Sequence, residues 1–236
     1  YNHALIDFSR AIQLNPSDAD SYNYRGKTYS KLGQFDRAVE NYNQALRLDP
    51  ENADTYTNRG NAYKKLRNYK RAIEDYNQAI LIAPDYAQAY YYRGIAFKNL
   101  GRYQLAIRDY NDALRYAPKK ADIYVNRGIA YKKLGQYQKA VENYDQAIRL
   151  DPDNARAYLN RGIAKKKLGR YRSAISDYDQ AIRISPYNAR TYIGRGVAYK
   201  NLRQYSRALE DYDHAIRLAP HSAEAHIVRG LVYKHI

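Results

Sequence analysis

Residues 87–120 read AQAYYYRGIAFKNLGRYQLAIRDYNDALRYAPKK, and this stretch decides the fold. Apolar and aromatic residues lie three and four positions apart through two segments, which is the spacing of one face of an α-helix. Gly101 stands between the segments, where a helix can end in a left-handed residue, and Pro118 follows the second segment, which it cannot continue. The stretch therefore predicts an antiparallel pair of helices.

The same pattern repeats along the whole chain. The seven prolines are 34 residues apart, and an Arg-Gly pair recurs in the same register from Arg25-Gly26 to Arg229-Gly230. A fixed period of this length is typical of a solenoid, in which each unit buries its apolar face against its neighbours. We expect a single solenoid over 1–236, with a second half-repeat at 1–18, a first half-repeat at 223–236 and no other domain. The complete repeats span 19–52, 53–86, 87–120, 121–154, 155–188 and 189–222.

In this pattern the chain resembles the tetratricopeptide repeat (TPR) family. Within 87–120 the resemblance rests on Tyr90, Gly94, Phe97, Ala106, Tyr110, Ala113 and Pro118. One departure is general, because Arg stands before Gly in all seven copies where the family usually has Leu. The resemblance implies an all-α, right-handed superhelical solenoid whose first helices line a concave groove that commonly binds peptides.

Composition and motifs point away from catalysis. The 236 residues include 40 Lys and Arg, 24 Asp and Glu and no Cys, which gives a net charge of +16 and excludes disulfides and thiolate metal sites. Nearly every polar residue recurs with the repeat, as a structural role requires, and no phosphate-binding loop or hydrolase motif is present. We therefore expect no enzyme, no catalytic residue, no metal site and no cofactor.

Neither a signal peptide nor a membrane span is visible in the sequence, since no apolar run approaches the ~18 residues that a span needs. The compartment is not set by the sequence, and only these absences favour the cytoplasm.

The arginine before each glycine is expected to be structural. Sixteen positions after it, on the second helix of each complete repeat, comes an Asp or Asn that can accept its hydrogen bonds while its stem packs on tyrosine. These acceptors are Asn41, Asp75, Asp109, Asn143, Asp177 and Asp211. The functional alternative is a row of arginines presented to an anionic ligand.

The candidate groove residues are those that vary on the first helices. The residue after the first Tyr changes from Asn23 to aliphatic residues from Val125 onward, and four residues later Lys27 gives way to Ile95 and its equivalents. We expect an exposed aliphatic stripe from the third complete repeat onward, which would mark a contact surface. The alternative is that the curvature of the superhelix already covers part of it. By resemblance, three Asn residues stand where family members hold a peptide backbone, although the carboxylate-clamp pattern of chaperone-binding relatives is missing. The candidate groove residues are Asn58, Asn61, Tyr91, Ile95, Val125, Asn126, Ile129, Lys133, Leu159, Asn160, Ile163, Lys165, Lys167, Ile193 and Val197.

Lysines recur at one further position of the first helices and predict a basic stripe near the edge of the groove. They are Lys64, Lys98, Lys132, Lys166, Lys200 and Lys234. Two interpretations are open: a solvated charged face without a ligand, or a surface that attracts acidic partners. Nucleic acid is disfavoured because most tyrosines occupy core positions. Lys165 replaces an aromatic residue, so its charged end is expected to reach water or to mark a local anionic contact.

The two ends form the second candidate interface. The half-repeats at the ends, 18 and 14 residues long, sum to 32, two short of a complete repeat, and neither end has the polar face of a capping helix. Either the chain is a segment of a longer array, or its copies stack head to tail into a filament. The end-to-end contact residues would be Ala4, Leu5, Phe8, Ala11, Ile12, Ile227, Gly230, Val232, Tyr233 and Ile236.

The leading functional prediction is a non-enzymatic scaffold that binds an acidic or amphipathic peptide or helix in the groove. A structural protein that self-assembles through its ends is the alternative. Nucleic-acid binding through the lysines is the third.

Overall fold

The computed structural model describes residues 1–234, which contain fourteen helices and no strand. The chain divides into two compact units, 1–118 and 119–236. The first unit contains α1 (Asn2–Leu14), α2 (Ala19–Lys31), α3 (Phe35–Leu48), α4 (Ala53–Lys65), α5 (Tyr69–Ile82), α6 (Ala87–Asn99) and α7 (Tyr103–Tyr116). The second unit contains α8 (Ala121–Lys133), α9 (Tyr137–Leu150), α10 (Ala155–Lys167), α11 (Tyr171–Ile184), α12 (Ala189–Asn201), α13 (Tyr205–Leu218) and α14 (Ala223–Tyr233).

The helices fall in the predicted register, two to each complete repeat, which confirms the all-α class and the helix pairs. The turn between the helices of a pair depends on a left-handed residue, which is Gly101 in the third complete repeat, with φ +74°. Arg67 and Arg203 adopt the same left-handed backbone conformation, with φ 61° and 59°, although residues with a side chain rarely adopt it. The prediction that the two units form one continuous solenoid stays a prediction.

Each complete repeat buries one tyrosine of its second helix against a glycine of its first. Tyr144 is fully buried, and a Cβ added to Gly128 would lie 2.6 Å from its Cε1 atom. The same contact joins Gly26 to Tyr42 and Gly196 to Tyr212, so the ring occupies the space that any larger residue would fill. The Gly of the Arg-Gly pair is therefore a requirement of close helix packing.

The arginine beside that glycine is structural, as predicted. The Nη2 group of Arg161 donates to Asp177 Oδ1 at 2.6 Å, and the guanidinium lies 5.4 Å from the ring centre of Tyr158. A second bond was not predicted: Nη1 donates to Asp145 Oδ1 at 2.6 Å, on the second helix of the preceding repeat. One side chain therefore joins three helices.

We call the equivalent arginines of the complete repeats the arginine ladder: Arg25, Arg59, Arg93, Arg127, Arg161 and Arg195. All six donate to the predicted residue sixteen positions later. Burial raises the pKa of the Asp75, Asp109 and Asp211 carboxyls in spite of the arginine beside each of them. Removing both charges from water costs about as much free energy as their attraction provides. These pairs therefore fix the geometry of the repeat more than they add to its stability.

Replacing Asp75 separates the two roles of this pair. Asp75→Leu should lower the free energy of unfolding by about 3 kcal/mol, because Arg59 would keep its charge in a half-buried place without a carboxylate. Asp75→Asn is the matched control and should cost less than about 1 kcal/mol, since Asn41 and Asn143 accept the same bond in other repeats. Urea unfolding followed by circular dichroism measures both variants. Equal losses for Leu and Asn would contradict this account.

Candidate functional site

Three of the predicted groove residues are buried packing residues. Val125, Leu159 and Ile193 are 0%, 7% and 5% exposed. Each packs in a cluster with residues of the next first helix: Val125 with Ala157 and Ala164, Leu159 with Ala198, and Ile193 with Ala225. The prediction of an exposed aliphatic stripe is wrong at these positions, because successive first helices pack against each other there.

The remaining apolar candidates are half-buried. Ile129, Ile163 and Val197 pack at the margin of the same clusters, so each offers only part of its side chain to a ligand. In the first unit Ile95 is also half-buried, and the ring of Tyr91 is tilted against that of Tyr92 with their centres 5.3 Å apart. Lys133 and Lys167 are exposed in the last turns of α8 and α10.

Lys165 meets neither of the two expectations. Its Nζ atom lies 2.9 Å from Asp177 Oδ2, so the ammonium group shares a buried carboxylate with Arg161. The substitution of an aromatic residue by Lys is therefore compensated inside the repeat, and Lys165 does not require water or an external anion.

The first helices of the second unit bring four cations together: Lys132 of α8, Arg156 and Lys166 of α10, and Arg190 of α12. We call them the basic cluster. Lys132 Nζ donates to Asn160 Oδ1 at 2.6 Å, and Arg156 Nη2 donates to Asn126 Oδ1 at 3.4 Å. The predicted groove residues Asn126 and Asn160 are thus buried, and their carbonyl oxygens hold these two cations in place.

The charge of the basic cluster is poorly compensated. Burial, together with repulsion from Arg190, Lys133 and Arg156, lowers the pKa of Lys132 to about 8. The pKa of Lys166 is also lowered, by burial and by Lys167 and Arg190, while Glu224 acts in the opposite direction. A negatively charged ligand would relieve this repulsion, so the cluster is chemically suited to bind carboxylates.

Sequence reasoning missed Arg156 and Arg190 as site residues. Both occupy the second position of their repeats, which is Asp20, Asp54 and Asp122 in three earlier repeats. This change in the sign of the charge was a readable signal. The aliphatic residues at neighbouring positions vary more conspicuously along the same helices and point to a different surface.

In the first unit the corresponding face is more polar. Asn58 Nδ2 donates to Asn23 Oδ1 at 3.3 Å and to Asp54 Oδ2 at 3.1 Å. Asn61 Oδ1 accepts a bond from Lys64 Nζ at 2.9 Å. The predicted groove residues Asn58 and Asn61 therefore lie together on α4, each engaged with a charged neighbour.

The predicted end-to-end residues divide into exposed and covered ones. Ile227 and Tyr233 are 61% and 56% exposed, and Gly230 is exposed as well, whereas Ala4, Leu5, Phe8, Ala11 and Ile12 are half-buried. Val232 is fully buried against Ala208 and Tyr212, so its prediction as a contact residue is wrong. Ile236 lies outside the described residues.

Over residues 1–234, no helix has the length and apolar character needed to cross a membrane. The same residues contain no group of three or more acidic or His side chains placed to hold a metal ion.

Models of known protein families match most of the chain. A model described as "TPR repeat" matches residues 26–66, 96–135 and 130–169. Two models described as "Tetratricopeptide repeat" match 53–86, 155–188 and 189–222, and 8–40. A search of curated protein sequences found no match.

Solved structures share the fold. A chain of the APC/C hetero-tetramer Cut9-Hcn1 superposes with a TM-score of 0.80 at 16% identity, over 98% of this chain and 46% of that one. YrrB, described as a TPR protein with an unusual peptide-binding site, gives a TM-score of 0.69 at 24% identity, over 81% and 99% of the two chains. MamA gives 0.64 at 28% identity, over 68% of this chain and 94% of its own. This chain spans less than half of the Cut9-Hcn1 chain. The matches to the repeat models show that the chain is a member of the tetratricopeptide repeat family.

Proposed function

We propose that this protein is a non-enzymatic interaction scaffold that binds an acidic protein segment on the basic cluster of its second unit. The observation that carries the proposal is the set of partners of Lys132: a neutral amide at 2.6 Å, with Lys133, Arg156 and Arg190 acting on it as further cations. If these cations had only a structural role, a carboxylate at the position of Asn160 would stabilise the fold better than an amide does. The amide leaves the positive charge available to a ligand.

The chemistry of the cluster favours carboxylates on a flexible or helical segment. Lysine ammonium groups accept anions from many directions, while the arginine forks of Arg156 and Arg190 suit the planar carboxylates of Asp and Glu. The half-buried Ile129 and Ile163 lie on α8 and α10 beside the cations and leave part of their apolar surface for an amphipathic partner. The description of YrrB as a peptide-binding TPR protein supports a role of this kind.

Nucleic acid fits the same face less well. Proteins that bind single strands combine basic grooves with exposed aromatic rings on which bases stack. Of the recurring tyrosines of the second unit, the three that pack against the glycines of the Arg-Gly pairs, Tyr144, Tyr178 and Tyr212, are fully buried and offer no such platform. An acidic protein segment requires only the positive charges of the basic cluster and the exposed parts of Ile129 and Ile163.

Variants of the basic cluster test the proposal with a fluorescent oligo-glutamate peptide as the probe. Lys132→Gln and Arg190→Gln should each weaken binding about tenfold, because each removes one charge-assisted contact. Lys139→Gln is the matched control, since Lys139 is exposed on the second helix α9, and it should bind like the unchanged protein. Fluorescence anisotropy gives the dissociation constants. Equal affinities of all three variants would overturn the proposal.

Self-association is the second candidate, and one pair of observations favours it. No atom of residues 1–234 lies within 4 Å of a Cβ added to Gly230, whereas a Cβ added to the equivalent Gly196 would lie 2.6 Å from Tyr212 Cε1. Arg229 Nη1 donates to Asp213 Oδ1 at 2.7 Å, which is the same bond to the preceding repeat that Arg195 makes to Asp179. On α1, Asp7 and Phe8 occupy the repeat positions of Asp211 and Tyr212. A second copy of this chain would bring Asp7 to Arg229 and Phe8 to Gly230.

A charge exchange tests this candidate. Light scattering over a concentration series should show a mass that grows for the unchanged chain and stays at one copy for Arg229→Asp or Asp7→Arg. Growth should return when both changes are in the same chain, because the pair is then restored with opposite signs. Arg183→Asp removes a cation from the exposed last turn of α11 and is the control, with growth retained. A constant mass for the unchanged chain, or no rescue in the double variant, would exclude this contact.

A further inference from the structure

A cavity of about 720 Å³ opens in the first unit, lined by residues of α2, α4 and α6 and the start of α3. Its volume lies within the ~300–1,000 Å³ typical of small-molecule sites. The lining includes four lysines, the neutral polar residues Ser30, Asn58 and Asn61, and the rings of Phe35 and Tyr92. None of the lining residues is Asp or Glu. The cavity therefore combines positive charge, neutral hydrogen-bonding groups and apolar wall.

Lys64 is the cation set deepest in this arrangement. Its Nζ atom donates to Asn61 Oδ1 at 2.9 Å and lies 4.2 Å from the ring centre of Tyr92. Burial, together with repulsion from the neighbouring Lys65 and Lys98, lowers its pKa to about 8. The partners of this ammonium group are thus an amide and a π face, and both leave its charge without a counter-ion.

Lys27 differs from Lys64 although it lines the same cavity. Its Nζ atom lies 2.7 Å from Asp54 Oδ2, and Asp54 also accepts bonds from Tyr86 Oη and Asn58 Nδ2. Burial acts to raise the pKa of Asp54, but the hydrogen bond and positive charge of Lys27, with the bonds from Tyr86 and Asn58, hold it below its ordinary value. Lys27 is therefore neutralised within the chain, and the charge available to a ligand belongs to Lys64, with the exposed Lys31 and Lys65 beside it.

Asn61 makes the cavity particular to the second complete repeat. Its carbonyl oxygen accepts bonds from both Lys64 and Tyr76 Oη, each at 2.9 Å. Ile129 and Ile163 stand at the same position in later repeats, and there the hydroxyls of Tyr144 and Tyr178 are buried with no hydrogen-bond partner among the described residues. The repeat can fold without this amide, so packing alone does not account for Asn61. Its bond to Lys64 gives it a role in orienting that ammonium group.

We propose that this cavity binds a phosphate monoester, with the phosphoryl group at Lys64, Lys31 and Lys65 and the organic group against Phe35 and Tyr92. A phosphoryl dianion matches several lysines better than a single carboxylate does, because lysine binds phosphate as a point charge and does not need the paired geometry of arginine. The hydroxyl of Ser30, which lines the cavity, supplies a neutral donor for one of the remaining oxygens. The site uses no residue of the basic cluster, so this proposal and the proposed function can fail separately.

Calorimetric titration of the full chain with phenyl phosphate tests the site. Lys64→Gln should weaken binding at least about tenfold. Lys200→Gln, which removes the lysine at the same repeat position in the second unit, should leave it unchanged. Asn61→Ile introduces the residue of the later repeats and should weaken binding with Lys64 still present. In the unchanged protein, ¹³C NMR of the lysine side chains should show that the ligand raises the pKa of Lys64.

The comparison of ligands decides the chemical class. Phenol and benzoate should bind at least tenfold more weakly than phenyl phosphate, because one has no charge and the other carries a single negative charge. A phosphotyrosine peptide that binds more tightly than phenyl phosphate places the ester on a protein, and one that binds no more tightly places it on a small molecule. Binding that is unaffected by Lys64→Gln, or benzoate that binds as tightly as phenyl phosphate, would overturn the proposal.

Discussion

In each complete repeat an arginine of the first helix reaches a carboxylate or amide of its own second helix, and most have a second bond to the second helix of the preceding repeat. Arg195 donates to both Asp211 and Asp179 at 2.6 Å. The planar guanidinium has five N–H donors in a fixed arrangement, so one side chain can set the spacing of three helices. A leucine at this position would fill the same space but would make no hydrogen bonds to fix the relative positions of the helices. The polar residues of the second helices follow from this constraint.

The arginine ladder and the buried tyrosines recur at fixed positions in every complete repeat, whereas some other first-helix positions are free to change. One such position carries Asp54 in the first unit and Arg156 and Arg190 in the second. Another carries Asn61 in the first unit and Ile129 and Ile163 in the second. Half-buried lysines with amide partners recur in both places. An ammonium group whose partner is a neutral amide keeps its positive charge available to an anion. Binding of an anion then offsets the repulsion between this group and the neighbouring cations.

The sequence predicted the repeat, the helix pairs and the first partner of each arginine, because those features depend on spacing within one unit of 34 residues. The second partner, such as Asp145 for Arg161, depends on how repeats stack, which a pattern within one repeat does not contain. Stacking also explains why Val125 and Leu159 are buried although they vary from repeat to repeat. The position of Lys165 is unpredicted for a related reason. The repeat pattern gives Asp177 one partner, Arg161, whereas in the structure Asp177 pairs with both Arg161 and Lys165.

The most direct test of the proposed scaffold function is an NMR titration of the lysine side chains with and without the oligo-glutamate peptide. In the free protein Lys132 should titrate near pH 8. With the peptide bound, its pKa should rise toward the ordinary value for lysine, since carboxylates then offset Arg156 and Arg190. A peptide that binds while the pKa of Lys132 does not change would show that the acidic segment is held elsewhere, and the central claim would be wrong.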